Sequence, residues 1–378
     1  MNTVIYADHA ATTRLSDKAL QAMLPWLQEE YGNPSQPYSF SRKPKKAIAE
    51  ARETIASCIG AQPDEIFFTS GGTESDNWAI KGTALSHGRE GALLVSAFEH
   101  HAVLRACAAV AADGWPVSYI NPTKDGIIIP ENMNRLMTTA TRTVSIMMAN
   151  NEIGIIQPIK QLATIAHDHN AIFHTDAVQA AGHIPVNVED LGVDMLSASA
   201  HKFNGPKGTG FLYIRKGTKI IPHENGGGQE FGQRAGTENV AGIVGMAVAL
   251  QENVEALDRN QKHLKKLEER LLQGIQDLPY IHNCACQPHL PGLLSLSFPR
   301  CDGEAILHRM DLMGICISTG SACDSKRTVI SHVLQAIKMD EKIARGTIRI
   351  SLGAENTLEE ADAIAAGLRR IITGKMQQ

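Results

Sequence analysis

Between residues 65 and 214 short apolar runs recur at near-regular intervals: EIFFTS (65–70), ALLVSAF (92–98), PVSYI (116–120), RTVSIMMA (142–149), AIFHTD (171–176), VDMLSAS (193–199) and GFLYI (210–214). Helix-like segments such as NWAIKGTALSHG and IKQLATIAHDHN lie between several of them. Strands that are apolar throughout, instead of alternating, are buried on both faces, and an intervening helix is the crossover that a parallel pair requires. The pattern predicts an α/β domain built on a mostly parallel sheet covered on both sides.

The remainder of the chain reads differently. After GIVGMAVALQEN comes the charged segment VEALDRNQKHLKKLEERLLQGIQDL, with Val254, Leu257, Leu264, Leu267 and Leu271 near helical spacing. It predicts a solvent-facing helix that links two domains. Beyond it a strand-like LLSLSF, a helix-like EAILHRMDL, the loop ISTGSACDS, a strand-like GTIRISLG and a final helix predict a smaller α+β domain. The expected division is a large domain over residues 15–255 and a small one formed by 1–14 together with 256–378. A chain of 378 residues with 43% hydrophobic content has enough apolar side chains for one large core and a second, smaller one.

Charge excludes some classes of partner. Lys+Arg 36 against Asp+Glu 40 leaves a net charge of −4, which offers no basic field for nucleic acid or an anionic membrane. The segment MNTVIYADHAATTRLSD lacks a charged region followed by an apolar run, and no stretch has the length of a membrane span, so the expected location is the cytoplasm. The 7 cysteines, an odd number without a secretion signal, predict reduced thiols. In IHNCACQPH, His282, Cys284, Cys286 and His289 stand close together. The Cys-x-x-Cys spacing is missing, however, and alternation puts both cysteines on one face of a short strand, so no metal is expected.

In doubly wound sheets ligands bind outside the carboxyl ends of the strands, and these ends are unusually polar here. The first run ends in TSGGTESDN, where Gly71, Gly72 and Thr73 precede a helix; free backbone N–H groups and the helix dipole make a phosphate cradle. The second ends in Glu99-His100-His101, the fourth in Asn150-Asn151-Glu152, and the fifth in Asp176 with Gln179 three residues on. The sixth ends in Ser199, His201 and Lys202. Singly, each has a bland reading: an N-capped turn, a helix-capping aspartate, a surface lysine. Together they form the set required by pyridoxal 5′-phosphate, which needs a lysine for its Schiff base, an acid for its pyridinium nitrogen and donors for its phosphate. Cys323 lies in ISTGSACDSKRTV, among small polar residues without the apolar neighbours of a buried structural cysteine, and is a candidate reactive thiol.

The motifs YADHAATT (6–13), GNPS (32–35), TSGGTESDN (69–77), EHHAVL (99–104), NNEIG (150–154), DAVQ (176–179), SAHK (199–202), GPKGTG (205–210), GGGQE (226–230), RAGTENV (234–240), STGSAC (318–323) and IRISLG (348–353) run in order along nearly the whole chain. In this the sequence resembles the cysteine desulfurases of the class V aminotransferase group, within the fold-type I pyridoxal-phosphate enzymes. Ala200 and Asp76 depart from the pattern, standing where Gly and Asn are expected.

The resemblance implies a fold-type I transferase: a large domain with a mostly parallel seven-stranded sheet and a smaller α+β domain carrying the catalytic cysteine loop. It implies that Lys202 anchors the cofactor, and that Gly72, Thr73, Ser199 and His201 hold its phosphate, with Thr237 reaching in from the second subunit of a homodimer. Asp176 would pair with the pyridinium nitrogen, Gln179 with the phenolic oxygen, and His100 would stack on the ring and move protons. Arg349, with Asn151 nearby, would bind the amino-acid carboxylate, since a planar guanidinium grips a carboxylate with two hydrogen bonds. The implied reaction converts L-cysteine to L-alanine and leaves the sulfur on Cys323 as a persulfide. Delivery to an acceptor protein follows, for iron–sulfur assembly, tRNA thiolation or DNA sulfur modification. A selenocysteine lyase or an aminotransferase of the same fold is the alternative, and a non-enzymatic scaffold would have no need of Lys202, Asp176 and Arg349.

Overall fold

The computed structural model describes residues 4–88, 91–319 and 330–376. Its strands are β1 (Ile5–Tyr6), β2 (Ile66–Thr69), β3 (Ala92–Ser96), β4 (Val117–Ile120), β5 (Thr141–Ser145), β6 (Ile172–Asp176), β7 (Met195–Ser199), β8 (Gly210–Ile214), β9 (Ile281–His282), β10 (Leu293–Ser297), β11 (Ile315–Cys316) and β12 (Thr347–Ser351). The main sheet has seven strands in the order β2-β8-β7-β6-β5-β3-β4. β4, β3, β5, β6 and β7 pair in parallel, and β8 runs antiparallel to both β7 and β2.

These are the seven apolar runs, and every residue of β2, β7 and β8 is buried. The run at 142–149 is regular strand over Thr141–Ser145; beyond it Ile146 and Met148 still donate to the carbonyls of His174 and Asp176, so the chain follows β6 towards Asn150. Helices cover the sheet. In Arg42–Ile59 the buried side chains Ala47, Ile48, Ala51, Ile55, Ala56 and Ile59 recur with the helical period, and the helix stops where Gly60 turns left-handed at φ 69°.

A second core is built on the antiparallel sheet β12-β10-β9 and the parallel pair β1-β11. It gathers Ala7 from the start of the chain with Leu264, Leu267, Leu271, Leu294, Ile348, Ile350 and Leu368 from the end. The charged segment departs from its expected form. One helix, Val240–Glu255, ends at Ala256, and a second, Leu257–Ile275, leaves at 70° to it. Nor is the second helix solvated all round: Leu264, Leu267, Leu271 and Ile275 are buried, and it packs along the C-terminal helix Leu358–Met376. Among the described residues no single helix is long and apolar enough to cross a membrane.

The IHNCACQPH segment also differs from expectation. β9 ends at His282 and Cys284 takes a left-handed φ of 58°, so strand alternation stops before the cysteines. Cys286 is exposed, and His289 pairs with Glu268 at 3.4 Å.

Candidate active site

A cleft of about 640 Å³ opens at the carboxyl ends of the main-sheet strands. Gly72, Thr73, His100, Asn151, Asp176, Gln179, Ser199, His201, Lys202 and Arg349 all line it, and Ala10, Ala11 and Thr12 form a wall. Thr237 does not: it is exposed, in the stretch before helix Val240–Glu255. Cys323 lies outside the described residues.

Lys202 owes its position to β7. The strand ends at Ser199 and a single 3-10 turn, Ala200–Lys202, follows. That turn is pinned to the start of the chain, because both the backbone N–H and the hydroxyl of Thr13 donate to the His201 carbonyl, at 2.8 and 2.9 Å. Lys202 Nζ donates to the carbonyls of Ala10 and Ala11 at 2.6 and 2.8 Å, and Gln179 Nε2 donates to the same Ala10 carbonyl at 2.8 Å.

Another part of the cleft lining is backbone. Helix Gly72–Ser86 starts directly after β2, with Gly71 as an N-cap that has no side chain to offer its N–H groups. Gly71 has φ 147°, and a Cβ added at Gly72 would stand 2.6 Å from Val178 Cγ2. The turn therefore stays bare and close to Ser199, leaving helix N–H groups for an anion. His201 lines the same cleft; its Nδ1 lies 3.1 Å from Thr12 Oγ1, and burial, with Lys202 and Lys207, pushes its pKa down to about 4.

Asp176, the last residue of β6, is buried and accepts the Val178 N–H at 2.8 Å. Burial pushes its pKa up to about 6, against the pull of that N–H and of Lys202. Two more buried carboxyls stand near it. Asp76 is held well above the usual carboxylate range by burial and by Asp176, and its Oδ1 lies 3.7 Å from His174 Nε2. Glu99 is pushed up to about 8 by burial, although its Oε1 accepts from the Met147 N–H at 2.6 Å and from the Ser96 hydroxyl.

His100 caps helix His101–Ala112, its Nδ1 accepting the Ala102 N–H at 3.2 Å. Burial, then the charge of Lys202, pushes its pKa down to about 4. The ring is thus neutral near pH 7, and with Nδ1 engaged as an acceptor its hydrogen resides on Nε2. Arg349, in the middle of β12, is buried; Nη1 donates to the Asn151 carbonyl at 2.8 Å and Nη2 to Asp8 Oδ1 at 2.7 Å. Backbone bonds in both directions tie Arg349 to Ser318. Ser331 donates to Glu152, whose pKa burial pushes up to about 7, and His332 Nε2 donates to the Glu99 carbonyl at 2.8 Å.

Sequence reasoning did not single out Asp8, Thr12 or the closeness of Asp76 to His174. The YADHAATT run was the available signal, but its contacts with His201 and Arg349 span 189 and 341 residues, which no local pattern reveals.

Comparison with known proteins matches residues 5–364 to the family described as aminotransferase class-V. The chain belongs to the class-V aminotransferase family. Within that family it is 46% identical, over 98% of its length and 95% of the relative's, to the cysteine desulfurase IscS of Dictyoglomus turgidum. A solved NifS-like protein superposes with a TM-score of 0.93 at 39% identity, over 98% of this chain and 100% of that one. A structure of SspA in complex with cysteine gives 0.84 at 35% identity, over 94% and 100%. Members of the family use pyridoxal phosphate, and the cleft fits such a group: a bare helix N-terminus for a phosphate, a buried carboxyl at Asp176 for a ring nitrogen, and Lys202 on the same cleft.

Proposed function

We propose that the chain is a pyridoxal-phosphate-dependent cysteine desulfurase that converts L-cysteine to L-alanine and passes the sulfur through Cys323 to an acceptor. The observation that carries this reading is the convergence of Lys202, Asp176, His100 and Arg349 on one cleft, beside Ser318 and Ser331, which flank the segment containing Cys323.

The cofactor, when bound, supplies an electron sink conjugated to the substrate's α-carbon. Gly72, Thr73, Ser199 and His201 would hold its phosphate, Asp176 its ring nitrogen, Gln179 its phenolic oxygen, and Lys202 its aldehyde carbon. Of the two candidate bases, Lys202 is favoured over His100 for removing the α-proton, since the imidazole presents an Nε2 hydrogen and its other nitrogen is occupied by the Ala102 N–H. His100 would then serve as the proton donor and would stack on the cofactor's ring. Arg349 binds the substrate carboxylate. The Cys323 thiolate attacks the substrate sulfur; the S–S bond forms as the Cβ–S bond breaks, and the three-carbon remainder takes up a proton to leave as L-alanine.

The domain division at residues 15–255 against 1–14 with 256–378 is likewise proposed. The two cores support it, although Leu293, Val333, Leu334 and Ile337 pack with the larger one. A homodimer that brings in the partner subunit's Thr237, and delivery of sulfur to an iron–sulfur scaffold or a thiolation enzyme, complete the reading.

Cys323→Ser tests it. The variant should bind the cofactor and L-cysteine as the wild type does, yet form neither persulfide nor alanine, because a hydroxyl is barely ionised near neutral pH and attacks sulfur far more weakly than a thiolate. Alanine formed from selenocysteine but not from cysteine is compatible with this result, as selenium departs more readily. Wild-type turnover of cysteine by Cys323→Ser, without persulfide on another cysteine, would favour the lyase or aminotransferase alternative.

A further inference from the structure

Arg349 is only 5% exposed and, resting on the reading above, receives the amino-acid carboxylate. Yet its guanidinium already has a carboxylate. Nη2 donates to Asp8 Oδ1 at 2.7 Å, Nη1 is taken by the Asn151 carbonyl, and among the described residues Nε alone finds no acceptor. A buried donor without a partner is uncommon, so the guanidinium is not fully satisfied by the two groups that hold it.

Asp8 cannot readily withdraw. Its backbone bridges to Ser351 on β12, the neighbouring His9 N–H donates to the Ser351 carbonyl at 3.0 Å, and the Tyr6 hydroxyl donates to the Asp8 carbonyl at 3.1 Å. The other carboxyl that feels Arg349 is Glu152, which accepts the Ser331 hydroxyl instead. A guanidinium this buried needs a counter-charge whenever no substrate is bound, because an uncompensated buried ion is strongly destabilising. A carboxylate that arrives at Arg349 therefore meets a guanidinium already paired with a fixed charge of its own sign.

We propose that Asp8 is a resident competitor of the substrate carboxylate: it holds Arg349 in position before substrate arrives and, by its charge, sets a ceiling on how tightly the amino-acid carboxylate binds. It is a positioning residue that acts through Arg349. Moderate affinity favours turnover, because binding that is equally strong before and after the chemistry also retains the alanine product.

The test titrates the holoenzyme with L-alanine and with L-alaninamide, which lacks the carboxylate, following the absorbance of the bound cofactor. Wild type should prefer L-alanine; equal affinities would remove Arg349 as the carboxylate partner, whatever Asp8 does. Given that preference, Asp8→Asn keeps an acceptor for Nη2 but no charge, and should bind L-alanine about three- to tenfold more tightly with L-alaninamide unmoved, since like charges set side by side oppose binding. Unchanged or weaker L-alanine binding, or equal tightening of both ligands, would overturn the role of Asp8. Asp8→Ser carries the same expectations and stands in if the asparagine variant does not fold.

Discussion

At the scale of single residues, the acids around Asp176 are the costliest feature of the site. Glu99 is fully buried, its Oε2 has no hydrogen-bond partner among the described residues, and its pKa is pushed up to about 8. In the unfolded chain it titrates near the ordinary glutamate value of about 4.3. Between the two values the unfolded state has lost the proton that the folded state retains, so folding stability falls as pH rises, by about 1.4 kcal/mol per pH unit from this group, and the contribution is intact only below the lower value. Glu99→Gln keeps the acceptor for the Met147 N–H and removes the titration. Its melting temperature should therefore exceed that of wild type increasingly from pH 5 to pH 8, and parallel melting curves across that range would show that Glu99 is not the buried acid described. The residues at the strand ends were legible in sequence because each strand delivers them to one edge of the sheet. Asp8 and the environment of Asp76 were not, since what they touch is set by tertiary pairing.

At the scale of elements, most strands of the main sheet were legible because burial on both faces leaves an apolar run, and their boundaries shifted by only a few residues; the edge strand β4 departs from that expectation, with Ser118 and Tyr119 exposed. The helix Leu257–Ile275 was harder. Its charges advertise a solvated surface, while its narrow stripe of Leu264, Leu267, Leu271 and Ile275 carries the second core, and its Glu268 reaches inward to accept the Gly292 N–H at 2.6 Å. Leu271→Ala should thus destabilise by about 2–5 kcal/mol, the usual cost of emptying a fully buried leucine site, whereas Lys266→Ala on the exposed face should stay within about 0.5 kcal/mol of wild type. Urea denaturation midpoints of the two variants measure the contrast. Equal midpoints would mean that this helix is the solvated linker its composition suggests.

At the scale of the whole molecule, Thr237 is, among the described site residues, the one that does not line its own cleft. Its stretch of chain is anchored by Arg234, which bonds Glu74 in the first turn of Gly72–Ser86 at 2.8 Å. If the partner subunit's Thr237 binds the phosphate, Thr237→Ala should weaken cofactor binding by roughly tenfold or more, as expected for a lost hydrogen bond to a charged group. Heterodimers of a Lys202→Ala chain with a Thr237→Ala chain should then regain one site of wild-type affinity per dimer, because the intact Lys202 and the intact Thr237 meet in the same cleft. A cofactor titration of doubly tagged heterodimers reads this directly, and no wild-type site would appear if Thr237 served its own chain. The Asp8–Arg349 pair joins residues 341 apart in sequence. A growing polypeptide can complete the lysine turn once β8 has emerged, but the contact between Asp8 and Arg349 closes only when β12 has been added as well. Nascent or prematurely ended chains that lack β12 would therefore carry the lysine turn with Asp8 still unpaired with its arginine.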